Sequence, residues 1–585
     1  MVGMGSPLTR EAQSATELTV SESARSWREG IESVVVAIVL AFLFRSFEAE
    51  AFVIPTGSMA PTLQGRHKDV LCPECGYRYR AGASTESEER SGVVEAVTCP
   101  LCFYAQELDP LRAAHVSNTG DRILVNKLAY EAPFGKPDRW DVVVFKYPGN
   151  AKQNYIKRLV GLDDESLQIQ HGDIFVRPGD RTEGEYTIAR KPPSKLVHML
   201  QLVNDTEYRS QSLDAVGWPA NWQAAADSTW QTGDLGRTFS CVPSAEPSWI
   251  RFQQYYISFE TWSDIAKAVK ANQRIPENVG PRPVLITDFY AYNGQRRRVN
   301  AGPRGMEYSG AVPMGMHWVG DLALEAEVDV QGNTGTLLLD LVEAGRHHRC
   351  ELDVATGKAR LSILGGAKPL RFVNDRGETY DSVEADTPVR GQGSYRFRFA
   401  NVDDQLLLWV NERPCGFDRE ATYEHDATER PMTTAADPGD LQPLGVGTLN
   451  LAASVRNLRV LRDIYYIATS NTMSSTVTDY GGYFRGVDRV VEHLSNPSLW
   501  KAGDLFDGRE TAEFPQAKDR FFVLGDNSPQ SQDGRLWGAE HYVERDLLIG
   551  EAVFIYWPHP LQVRIPFTKA IVPWFPNFRE MGLIH

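Results

Sequence analysis

Hydrophobic and polar positions alternate with a period of two over long parts of this chain. Leu322, Leu324, Ala326, Val328 and Val330 fall on one strand face, with Glu325, Glu327 and Asp329 opposite. Apolar runs of the same kind follow at Leu337–Val342, Cys350–Val354, Ala359–Ile363, Tyr395–Ala400 and Leu406–Asn411, with turn-rich segments between them. This regular spacing predicts an antiparallel β-sandwich over 316–462. Residues 122–128, 140–147 and 155–162 are shorter β-like runs split by Gly and Pro, and Phe521-Phe522-Val523-Leu524 is another. Asp546–Trp557 predicts a closing strand. Residues 181–315 show no sustained period and predict irregular β and loop structure, with one helix-like segment near 260–272. The fold class expected is mainly β.

One apolar segment does not alternate. Val34 to Phe44 is continuously apolar, shorter than the roughly 20 residues that a spanning helix needs. Counting from Trp27 through Phe47 restores that length, with Glu29, Glu32 and Arg45 near the ends, where long charged side chains can snorkel. A retained single-pass anchor and a cleavable secretory signal both fit this pattern. Arg10, Arg25 and Arg28 precede the segment and Arg45 follows it, which places the N-terminus in the cytoplasm and the rest of the chain outside.

Length and charge narrow the picture further. A chain of 585 residues is too long for one ordinary domain. The formal net charge of −15 argues against a nucleic-acid partner, which favours a basic surface. Cys72-Pro-Glu-Cys75 and Cys99-Pro-Leu-Cys102 form two CxxC pairs within 65–117. Two such knuckles can deliver four thiolates to one structural zinc ion, and Gly76 suits the turn after the first. Two disulfides are the alternative in an oxidising compartment. His347-His348, adjacent at a turn, read as solvent-exposed rather than as metal ligands.

Three stretches carry candidate chemistry. Ile54-Pro55-Thr56-Gly57-Ser58-Met59-Ala60-Pro61-Thr62-Leu63 is a rigid turn that presents a hydroxyl. In Tyr155-Ile156-Lys157-Arg158-Leu159-Val160-Gly161 both strand faces are apolar, so one charged side chain is expected to point inward. Arginine cannot serve as a base, whereas a desolvated lysine can. Lys127 and Lys146 compete for that role and fit surface positions beside turns. Gly525-Asp526-Asn527-Ser528-Pro529-Gln530-Ser531-Gln532-Asp533-Gly534-Arg535 is a tight, hydrogen-bonded loop.

These stretches, with Gly120-Asp121-Arg122-Ile123-Leu124-Val125-Asn126-Lys127, stand in the order seen in type I signal peptidases, and the chain resembles that family over about 51–64, 118–176 and 513–557. The resemblance implies a membrane-anchored serine endopeptidase of exported preproteins. It implies Ser58 as nucleophile, Lys157 as general base, and Thr56 with the Ser58 N–H as oxyanion donors. It also implies Ser531 as the residue that orients the lysine, and Asp533 with Arg535 as a supporting ion pair beside Asp526 and Asn527. The family's usual Gly-Asp-Asn-Arg-Asp-Asn-Ser is altered in the middle here, while Ser531, Asp533 and Arg535 keep their spacing. No catalytic cofactor is implied. The partners implied are signal-peptide-bearing preproteins, membrane lipid and the secretion translocon. Cleavage is expected after small residues at −1 and −3, with the substrate held as an extended strand. Phe52, Ile54 and Met59 are candidates for lining its groove or for the core.

On this reading the chain divides into a cytoplasmic tail (1–26), an anchor (27–50) and a catalytic domain in three pieces (51–64, 118–180 and 463–585). A zinc-ribbon-like insertion (65–117), an irregular insertion (181–315) and a jelly-roll-like sandwich (316–462) interrupt the catalytic domain. Asp404-Gln405-Leu406-Leu407-Leu408-Trp409-Val410-Asn411 resembles concanavalin/laminin-G-like jelly rolls. Two other functions remain open. One is a non-catalytic envelope protein that displays the sandwich; the other is a regulatory Ser-Lys protease acting on membrane proteins.

Overall fold

The computed structural model describes Trp27 and residues 31–37, 49–86, 92–131, 133, 135–179, 184–300, 306–310, 315–366, 368–469, 477–480, 487–501, 505–515, 518–538, 541–564 and 571–585. The expected tail at 1–26 and most of the expected anchor at 27–50 lie outside these residues. Among the described residues no helix is long and apolar enough to cross a membrane.

The described chain is mainly β. One eight-stranded sheet joins Ala49–Val53, Arg122–Asn126, Leu548–Trp557, Val142–Tyr147, Asn150–Gly161, Arg520–Leu524 and Val543–Glu544 in that order, with Gly582–Leu583 paired to Leu548–Trp557. All the pairings that give this sheet its register are antiparallel. Five of its strands are the apolar runs expected from the sequence, whereas Ala49–Val53, which begins inside the expected anchor, Val543–Glu544 and Gly582–Leu583 were not expected. Between Ala49–Val53 and the lysine-bearing strand lie three others, a separation of about 19 Å in a flat sheet. The segment after Val53 closes that gap. Ile54, Met59 and Leu63 pack onto Ile123, Val125, Val142, Val144 and Ile156, so the serine turn lies across the sheet. Ile54 and Met59 are therefore core residues, and Phe52 is partly buried beside them.

The second large body is the sandwich. Its two sheets contain Leu322–Val330, Gly393–Val402, Gln405–Val410 and Ala453–Arg462 on one side, and Thr336–Glu343, Arg346–Asp353, Lys358–Gly365 and Leu444–Leu449 on the other. The alternating apolar residues point between them and form the largest core cluster. The structure draws its border differently from the sequence reading. Gln201–Asp205, Trp230–Gly233 and Thr238–Cys241 extend the first sheet, and Trp222–Ala224 and Ser248–Phe252 extend the second. The strands between 201 and 252 thus belong to the sandwich. These strands are only three to five residues long, too short to show a period in sequence.

The helix expected near 260–272 is Phe259–Ala271, capped by the Ser258 side chain on Thr261 N and ended by left-handed Asn272. Trp262, Ile265 and Ala268 on its inner face pack against the cysteine knuckles, and Trp262 Nε1 donates to Cys102 O. The knuckles therefore share a core with the middle of the chain. His347 and His348 are a correction to the sequence reading. They lie within Arg346–Asp353, whose alternation turns His348 into the sandwich, stacked 5.3 Å from Tyr423. Half-buried His347 lies 2.7 Å from both Asp340 and Asp437.

A buried ion network crosses the seam between the two bodies. Lys191 Nζ lies 2.6 Å from Asp403 and 2.7 Å from Asp463, with all three side chains buried. Their carboxylates raise the lysine pKa against the opposing effect of burial.

Candidate active site

Ser58 sits in a turn built for close approach. A side chain at Gly57 would overlap the Tyr292 ring, and one at Gly65 would strike the Thr56 backbone. Those glycines let the turn fold flat, with Ala60 N donating to Gly57 O. Lys157 lies on the long strand Asn150–Gly161, paired with Val143. The two side chains meet: Lys157 Nζ is 2.7 Å from Ser58 Oγ and 3.0 Å from the Ile156 carbonyl. Lys157 is 3% exposed. Burial lowers its pKa from 10.5 to about 8, while the Asp533 and Asp526 charges partly restore it. Lys127 is half-buried and reaches Glu50, and Lys146 is exposed, so neither competes for the serine.

The expectation that a single charged side chain points inward was too simple. Arg158 is fully buried as well. Its guanidinium grips Asp526 through Nε and Nη2, each at 2.7 Å, and donates to Trp140 O and His585 O. Thr62 Oγ1 donates to the same carboxylate. The strand can bury two adjacent cations because one is compensated as a bidentate ion pair and the other can be neutral.

The loop after Arg520–Leu524 supports the turn from the far side. Asn527 N donates to Ser58 O at 3.1 Å, and Asn527 Nδ2 donates to Gly57 O at 2.9 Å. Asp533 and Arg535 form a buried bidentate pair, and Asp533 also accepts from Gly525 N at 3.1 Å. Arg535 further donates to Ile467 O and to the carbonyl and hydroxyl of Ser528. The altered middle of the motif is thus accounted for, because Ser528 opens a short 3-10 turn and its hydroxyl bridges Ile467 N and Arg535. Ser531 is buried beside Gly525 and the Ser58 carbonyl, yet its Oγ makes no hydrogen bond among the described residues, including to Lys157. Thr56 is half-buried two residues before Ser58. Among the described residues the Ser58 N–H has no intramolecular acceptor.

The four ribbon cysteines converge. All are buried, with Cys72 Sγ 3.6 Å from Cys102 Sγ and Cys75 Sγ 3.6 Å from Cys99 Sγ. All four sulfurs lie within 4.8 Å of one another, and none is in a disulfide. A tetrahedral thiolate site with bonds of about 2.3 Å has edges of about 3.8 Å, so the spacing fits one metal ion. Both knuckles have the same backbone. Gly76 N donates to Cys72 O and Phe103 N to Cys99 O, with Gly76 and Phe103 both at positive φ. Packed thiols resist joint ionisation without a cation. Burial holds Cys99 well up, and hydrogen bonding to Cys72 does the same for Cys102.

Tyr292 and Asn293 also belong to this site and were not singled out from the sequence, whereas Thr62, Arg158 and Ser528 lie within the stretches quoted above without an assigned role. Asn293 donates to Asn527 Oδ1 at 2.6 Å and accepts from its Nδ2 at 2.9 Å. Nothing in Phe289-Tyr290-Ala291-Tyr292-Asn293-Gly294 marks that role, since the contact spans more than two hundred positions of the chain.

Comparison with known proteins supports the same segments. The family described as signal peptidase, peptidase S26, matches residues 112–221 and 491–557, which include Lys157 and the 525–535 loop but not Ser58. Signal peptidase I of Pseudomonas aeruginosa is 28% identical over 147 residues, covering 23% of this chain and 33% of that protein. Signal peptidase I of Leptolyngbya laminosa is 26% identical over 194 residues, covering 32% and 66%. The chain thus spans one third to about two thirds of the length of these relatives. Among solved structures, carbohydrate binding module CBM66 from Bacillus subtilis aligns with 41% of this chain and 94% of its own at 9% identity, with a TM-score of 0.21. At that score the likeness carries no argument. Residues 112–221 and 491–557, which carry the buried lysine and the loop after Arg520–Leu524, are thus similar to the signal peptidases of the peptidase S26 family.

Proposed function

We propose that this chain is a membrane-tethered Ser-Lys endopeptidase that removes signal peptides from exported preproteins. The observation that carries this reading is the 2.7 Å approach of Lys157 Nζ to Ser58 Oγ at a buried lysine whose pKa is lowered to about 8. A neutral amine at that distance takes the hydroxyl proton as Ser58 Oγ attacks the substrate carbonyl carbon. The ammonium then protonates the leaving amine, and the scissile C–N bond breaks. Water attacks the resulting ester while Lys157 takes a water proton. That proton returns to Ser58 as the ester C–O bond breaks and the new C-terminal acid departs. The Ser58 N–H and the Thr56 hydroxyl are the donors for the transient oxyanion.

The supporting roles follow the site's chemistry. A neutral amine has two N–H groups. One is taken by Ile156 O, and Ser531 Oγ is the acceptor we assign to the other during turnover. Arg158–Asp526 and Asp533–Arg535 brace the two sides of the turn. Among the described residues Ala49–Val53 is paired on one side only, with Arg122–Asn126, and offers an extended substrate an edge to join. The four cysteines are assigned one structural zinc, with all four positions filled by protein and none left for water. The segment 27–50 is assigned as the membrane tether, with the catalytic domain on the outer side.

The test is cleavage of a purified preprotein in detergent by wild type, Ser58→Ala and Lys157→Met, with fragment masses locating the cut. The expected result is a cut after a small residue, lost in both variants while each remains folded. Unchanged cleavage in either variant overturns the assignment. Wild-type rate should also rise with pH as one deprotonation with a midpoint near the lysine value of about 8.

A further inference from the structure

Lying outside the catalytic strands, the segment 288–293 approaches the nucleophile closely. Tyr292 is buried, and its ring fills the space that a side chain at Gly57 or Gly82 would need. Its hydroxyl donates to Arg66 O at 3.1 Å. The next residue, Asn293, pairs side chain to side chain with Asn527 through reciprocal bonds of 2.6 and 2.9 Å. Asn527 in turn holds both carbonyls that flank the serine, Gly57 O through Nδ2 and Ser58 O through its backbone N–H.

The peptide joining Gly57 to Ser58 makes this arrangement consequential. In a planar trans peptide the C=O and the N–H point in opposite directions. Binding Gly57 O to Asn527 therefore aims the Ser58 N–H away from the loop. Asn293 occupies Asn527 Oδ1, which leaves Asn527 Nδ2, not Oδ1, facing the carbonyl. Arg462, at the end of sandwich strand Ala453–Arg462, donates to Asp288 O at 3.0 Å and Phe289 O at 3.2 Å. The positioning segment is therefore tied to the sandwich.

We infer that Tyr292 and Asn293 are positioning residues that aim the Ser58 N–H at the developing oxyanion, so that the middle of the chain completes the catalytic turn. This rests on the Ser58–Lys157 reading above. Among the described residues Lys157 bonds to Ser58 and Ile156 and to neither of these two, so their loss acts on kcat and leaves the pH midpoint in place.

The test measures kcat, KM and the pH–rate midpoint of the full chain on one preprotein in detergent, for wild type, Asn293→Ala and Asn293→Asp. The aspartate keeps the shape but cannot donate to Asn527, and it carries the test if the alanine variant does not fold. Removing an oxyanion donor outright costs about 100- to 1000-fold in kcat, so misaiming one should cost about 10- to 100-fold. The expected result is that loss with KM within about twofold and the midpoint unmoved. Wild-type kcat in a folded variant, or a loss confined to KM, overturns the inference alone. A wild type that cuts no preprotein overturns the protease reading and this inference with it.

Discussion

Replacing Lys157 by methionine probes the energy stored at the site as well as its chemistry. Burial is the largest cause of the fall in the lysine pKa from 10.5 to about 8. The folded value lies below the unfolded one. Between about pH 8 and 10.5 the unfolded chain therefore binds a proton that the folded chain lacks, and stability rises with pH through that window. Below pH 8 the fold bears the full cost of the buried charge. A depression of this size corresponds to about 3 kcal/mol at pH 7 and about 1 kcal/mol at pH 10, at about 1.4 kcal/mol per unit. Methionine fills a similar volume without charge. It gives up the contacts to Ser58 and Ile156 O, a loss of about 1 kcal/mol. The expected outcome is an inactive variant that is more stable than wild type by about 2 kcal/mol at pH 7 and close to it at pH 10. Urea unfolding followed by tryptophan fluorescence at the two pH values reads this directly. A variant less stable than wild type at pH 7, or a difference independent of pH, refutes the buried low-pKa amine.

Other perturbations test the supporting structure. Arg158→Met leaves the Asp526 carboxylate buried without its ion-pair partner and should cost about 3–5 kcal/mol in urea unfolding, whereas Arg158→Met with Asp526→Leu should recover most of it. Equal loss in single and double variants would count against the pair. Cys99→Ser should abolish binding of one zinc per chain, read by metal analysis, and lower the thermal midpoint; wild type without bound metal and with its four ribbon thiols oxidised points to disulfides instead. Lys191→Met leaves Asp403 and Asp463 facing each other without their counter-ion and should cost about 3–5 kcal/mol at pH 7. Because burial already raises the Asp463 pKa and that acid takes up a proton once its counter-ion is gone, the cost should shrink as pH falls, and a loss that does not change with pH contradicts the assignment.

Much of the site was legible from local features. Gly57-Ser58, Tyr155-Ile156-Lys157-Arg158 and the 525–535 loop each show their residue types in a short window, and the spacing of Ser531, Asp533 and Arg535 survives the altered residues between them. The period-two pattern from Leu322 to Asn411 gave the sandwich strands nearly in place, because one face of each is buried and the other is not. The paired CxxC spacing located four sulfurs that do converge. These are properties of single segments, set by side-chain direction and turn chemistry.

What only the tertiary structure decided are the relations between segments. A sequence window separates Lys157 from Arg158 by their chemistry but does not show how both can be buried. Asp526, hundreds of residues later, pairs Arg158 and leaves Lys157 to the serine. The short strands between 201 and 252 became part of the sandwich only because its sheets offered them edges. Tyr292 and Asn293 have no local signature, since their role lies in the space at Gly57 and in one amide pair. Local chemistry names the groups that can react. Burial and long-range pairing decide which of them hold a proton and where their bonds point.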